Sequence, residues 1–97
     1  ILYFEYIKAK KKVKIVTENM VYEYPDAISG LEERMQPYGF EISCRGILVN
    51  LCNVAKIKGY EIILKDGGTV PLSQKRVSQF KKMLNEYIHN MDEHNGV

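Results

Sequence analysis

Short stretches of branched and aromatic residues, separated by polar turns, dominate the first part of the chain. Residues 1 to 6, Ile-Leu-Tyr-Phe-Glu-Tyr, read as a strand. Val13-Lys14-Ile15-Val16-Thr17 alternates as a second, and Met20 to Tyr24 forms a third, joined to it by the Glu18-Asn19 turn. Between the first two lies Lys8-Ala9-Lys10-Lys11-Lys12, a solvated hairpin tip with four lysines. The period then changes. Pro25-Asp26 opens a helix with Asp26 as its N-cap, Ile28, Leu31 and Met35 share one face, and Pro37 with Gly39 stops it. Glu32 and Glu33 lie in its early turns, so this helix is expected to form the back of the domain, its acids facing away from any phosphate-binding surface.

From Phe40 the pattern returns to short strands: Phe40 to Ile42, Ile47 to Leu51, Val54 to Lys58, Tyr60 to Leu64 and Thr69 to Leu72. Lys65-Asp66-Gly67-Gly68 has hairpin chemistry, because Asp-Gly and Gly-Gly accept positive φ. Val77, Phe80, Leu84, Tyr87 and Ile88 then recur at helical spacing, which predicts a last helix of about four turns with Ser73 as N-cap. After His89 the periodicity is lost, so residues 90–97 are expected to be a frayed tail behind a domain of residues 1–89.

A chain of 97 residues has room for one core. With 45% apolar and 27% charged residues it is neither disordered nor collagen-like. No apolar run reaches the roughly 18 to 20 residues of a membrane-spanning helix. Cys44 and Cys52 alone make neither a disulfide framework nor a common zinc site, and a reducing, cytoplasmic address is expected. The chain opens at Ile1 within a strand pattern, so it is expected to be a piece of a longer protein.

The net charge of +2 conceals a strong segregation. Residues 1–17 carry five Lys against Glu5, and residues 18–43 carry six acids against Arg34. Residues 44–82 carry eight bases against Glu61 and Asp66, and residues 83–97 carry three acids. Two basic blocks brought to one face would form a surface able to displace counterions from a polyanion; left apart, they would be solvated lysines that protect strand edges. Lys75 and Arg76 sharpen the question. They fall in the first turn after Ser73, where the helix dipole disfavours cations and favours an anion. Catalytic chemistry is not evident. His89 and His94 lie near the C-terminus with no evident route to Cys44, and no phosphate-binding glycine loop is present, so no catalytic residue, metal or cofactor is assigned.

In this order the features resemble the LytTR-type DNA-binding domain of bacterial two-component response regulators. The resemblance runs from Ile1 to about Ile88. It is carried by the Ile-Leu-Tyr-Phe-Glu opening, the Leu31-Glu32-Glu33 helix, Phe40 through Asn50, the Val49-Asn50-Leu51 triplet with Val54 and Ile57, Asp66-Gly67-Gly68, and Val70-Pro71-Leu72-Ser73. It implies a mostly β fold (α+β minor), with short antiparallel sheets, one small helix and a C-terminal helix. It further implies loops inserted into successive major grooves of double-stranded DNA at promoter direct repeats, bound by two copies and governed by an N-terminal receiver or sensory domain. The contact loops then fall on Lys10, Lys11 and Lys12, on Cys44 and Arg45, and on Gln74, Lys75 and Arg76. Relatives often carry His-Arg-Ser or His-Asn-Ser where this chain has Cys44-Arg45-Gly46. Asn50 is expected to be a buried organiser of backbone. Cys44, in a basic loop, is expected to have a lowered pKa and to allow redox control. The alternative is a protein-interaction domain of the same fold that has lost specific DNA binding.

Overall fold

The first three expected strands form as two successive hairpins in the computed structural model, which describes residues 1–25 and 28–95. They are β1 (Tyr3–Ile7), β2 (Lys12–Val16) and β3 (Val21–Pro25). With β4 (Phe40–Cys44) and β5 (Ile47–Asn50) they make a five-stranded antiparallel sheet in the order β3-β2-β1-β5-β4. A second sheet, β6-β7-β8, is built from β6 (Val54–Lys58), β7 (Glu61–Leu64) and β8 (Thr69–Pro71). The helices are α1 (Ile28–Met35) and α2 (Val77–Asn95). Asp26, the expected cap of α1, lies outside the described residues.

Strand alternation distributes side chains between two cores. Phe4, Val13, Phe40 and Leu48 face α1 and pack with its Leu31. Leu2, Ile47 and Val49 face the other way, where Ile62, Leu64 and Val70 of the second sheet meet Phe80 of α2. Phe80 is fully buried, which anchors α2 and therefore the segment that leads into it.

Local chemistry sets the connections. The Asp66 side chain accepts from the Gly68 N–H at 2.8 Å and Gly67 adopts φ +92°, forming the β7–β8 hairpin. Asn50 does organise backbone: its Nδ2 donates to the Ile1 carbonyl at 2.7 Å and its Oδ1 accepts from the Cys52 N–H at 3.3 Å. It does so half-buried, contrary to the expected burial, because it stands at the end of β5. Two further details at α2 differ from expectation. Ser73 occupies the cap position, but its side chain makes no capping bond, and a 3₁₀ turn over Gln74–Arg76 precedes the α-helix. The helical backbone also continues past His89 to Asn95, beyond the last apolar residue of the stripe.

Candidate nucleic-acid interface

Three backbone features bring the basic stretches together. β1 pairs with β5, and the Tyr6 N–H donates to the Gly46 carbonyl at 2.8 Å, which sets the lysine hairpin beside the β4–β5 turn. The Ser73 N–H donates to the Ser43 carbonyl at 2.8 Å, which sets the entrance of α2 on the other side of that turn. The turn itself is Arg45-Gly46, because Cys44 pairs with Ile47. Gly46 has φ +83°, the left-handed region that glycine enters without penalty, and Arg45 is left exposed.

Side chains follow the backbone. Tyr6, Lys8, Lys11, Arg45 and Gly46 line one groove. A second groove shares Arg45 and Gly46 and continues through Ser73, Lys75 and Arg76. Arg45-Gly46 is thus the common wall of two basic depressions, with the lysine hairpin on one side and the helix entrance on the other. Among the described residues, Lys8, Lys11, Arg45, Lys75 and Arg76 form no ion pair within 4.0 Å. Their charges are available to an external anion, and the open grooves between them admit one.

A bulge explains how β4 serves both the core and this surface. Ile42 pairs with Leu48 and Cys44 with Ile47, so Ser43 is the extra residue. Ile42 packs toward α1, whereas Cys44, two positions on, packs toward the opposite core. The bulge also aims the Ser43 carbonyl at Ser73.

The sequence-assigned residues separate into two groups. Lys11, Arg45, Lys75 and Arg76 come together, and Lys8, which the sequence reading left out, joins them. Lys8 was legible only as one of four lysines; the turn geometry, with Lys11 at φ +51°, selects these two. Lys10 instead forms an ion pair with Glu23 of β3 at 3.5 Å. Lys12 and Gln74 are exposed and line neither groove. Cys44 lines neither, and its thiol pKa is raised, not lowered: burial is the main cause and the Glu5 carboxylate adds to it, while the Ser43 side chain opposes. The expectation of an activated thiol is therefore corrected. Glu32 corrects the expected acidic back face, since it lines the second groove together with Arg45, Lys75 and Arg76. Among the described residues, no group of three or more His, Cys, Asp or Glu side chains is placed to hold a metal. No described helix is long and apolar enough to cross a membrane.

Comparison with known proteins gives a consistent result. A family model described as the LytTr DNA-binding domain matches residues 1–85. Among solved structures, the LytTr DNA-binding domain of a methyl-accepting/DNA response regulator from Bacillus cereus superposes with a TM-score of 0.74 at 22% identity, covering 87% of this chain and 80% of that one. No curated protein matches.

Proposed function

Because the chain belongs to the LytTr DNA-binding domain family over residues 1–85, we propose that it is the sequence-specific DNA-binding module of a bacterial transcriptional regulator. It inserts the lysine hairpin, the Arg45-Gly46 turn and the α2 entrance into successive major grooves at repeated promoter sites. The observation that carries this reading is the position of Arg45-Gly46 as the wall shared by both basic grooves. Lys8, Lys11, Lys75 and Arg76 grip phosphates, which supplies affinity and orientation without reading sequence. Arg45, exposed at the tip of a tight turn, reaches a base edge; its fork matches the O6 and N7 acceptors of guanine. In the whole regulator, two copies occupy paired repeats in the cytoplasm, and a receiver or sensory domain N-terminal to this one controls them. The module itself carries out no catalysis.

Selection from a random duplex pool at fixed salt, followed by anisotropy titrations on the recovered site, tests this reading. Four phosphate-neutralising cations predict a slope of log K against log salt near about −4. Arg45→Ala is expected to lose about 1 to 3 kcal/mol on the selected site and to relax preference at one base pair. Shallow salt dependence with no enriched sequence would contradict the proposal and favour a protein partner for the same basic face.

A further inference from the structure

A carboxylate in a groove meant for a polyanion needs a physical reason. Glu32 is half-buried on α1 and lines the same groove as Arg45, Lys75 and Arg76. Among the described residues, no ion pair within 4.0 Å ties it to any of the three. Its carboxylate is therefore not consumed by a bridge to those cations, and it borders the groove that they line. Its neighbour Glu33 is exposed and does not line that groove; it lines an adjoining depression with Glu41, Phe40 and Leu48, which Glu32 also borders.

We propose that Glu32 is a discriminating carboxylate of the interface, which opposes phosphate in the groove at the α2 entrance and accepts a hydrogen bond from a base amino group there. The argument is one of donor and acceptor types. Phosphate oxygens and ionised carboxylates only accept, so they repel each other; the cytosine N4 and adenine N6 amino groups donate. In non-specific binding the backbone slides over the cationic face, and Glu32 makes the second groove a poor seat for it. In the preferred register a base edge occupies that place and the carboxylate gains a partner, while Lys75 and Arg76 hold the phosphates that flank it. Glu32 thus raises the ratio of specific to random binding while lowering overall positive charge. This inference rests on the DNA-binding reading above.

The test compares the wild-type domain, Glu32→Gln and Glu33→Gln on the selected duplex and on a random duplex of equal length, at one salt concentration. Removing one charge about 6 Å from a phosphate in water is worth roughly threefold in affinity. Glu32→Gln is expected to tighten random binding by about that factor without tightening the selected site, so the ratio falls. Glu33→Gln removes the same charge one residue away and is expected to leave the ratio at the wild-type value. Glu32→Asp, which keeps the charge, is expected to recover part of the discrimination, and circular dichroism melts check that all variants fold alike. Equal tightening on both duplexes, no change, or the same loss of ratio in Glu33→Gln overturns the inference while leaving DNA binding intact. Failure of the wild-type domain to hold either duplex overturns the DNA-binding reading itself, before any variant is compared.

Discussion

Arg45 and Gly46 illustrate how much of the site depends on single residues. The guanidinium stands on the solvent side of the turn because Gly46 takes φ +83°, a conformation in which a Cβ clashes with the backbone. A Cβ built there would lie 3.7 Å from the Tyr6 Cβ, an ordinary contact, so the penalty of a side chain is conformational and not steric against a neighbour. Gly46→Ala is expected to destabilise the domain by about 1 to 2 kcal/mol in urea denaturation, and to weaken duplex binding further because the turn re-aims Arg45. An unchanged midpoint would show that the turn tolerates alanine. Cys44 gives the complementary case. Adjacency to Arg45 in sequence suggested an activated thiol, but the half-buried side chain packs against the core, and burial with the nearby Glu5 raises its pKa. Because a raised pKa leaves the thiol protonated at neutral pH, alkylation of Cys44 in a Cys52→Ser background is expected to be slower than that of an unstructured cysteine peptide. The rate should keep rising with pH beyond the point at which the peptide's rate has levelled off. Reaction at the peptide's rate near pH 7.5 would contradict this.

At the scale of elements, the entrance to α2 differs most from what its sequence suggests. Ser73 followed by a helical stripe reads as a side-chain cap, yet the hydroxyl makes no capping bond. The backbone does the work instead, with the Arg76 N–H donating to the Ser73 carbonyl at 2.9 Å and the Ser73 N–H to Ser43. Ser73→Ala is therefore expected to cost well under the ~1 kcal/mol typical of a lost cap, as read by thermal denaturation. A larger loss would mean that the hydroxyl has a structural partner after all. The strands were legible because alternation in β1, β2 and β5 sends Phe4, Val13 and Leu48 to one face and Ile47 and Val49 to the other. The β4 bulge was not legible. Phe40 to Cys44 carries no glycine or proline to mark it, and only pairing with β5 shows that Ser43 is the extra residue. The same limit applies to the length of α2, whose backbone outlasts its apolar stripe.

For the whole molecule, segregation of charge along the chain becomes segregation in space through strand order. β1 lies between β2 and β5, so the lysine hairpin and the Arg45-Gly46 turn share one end of the sheet, and the Ser43–Ser73 bond adds the third basic stretch. Sequence blocks could mark these stretches but not select within them, because which lysine faces the groove depends on turn geometry. Lys11 enters it, while Lys10 is drawn back to Glu23. Nor could the blocks place Glu32, whose helix reads as a uniformly outward acidic face until α1 is packed beside β4. The central claim is that these separated stretches act as one surface on duplex DNA. Its most direct test is an amide chemical-shift titration of the labelled domain with the selected duplex. The expected result is a contiguous set of perturbed amides at 8–11, 45–46 and 73–76, with β3 and the exposed side of α2 unmoved. Perturbation confined to one of the three stretches, or centred on β3, would contradict it.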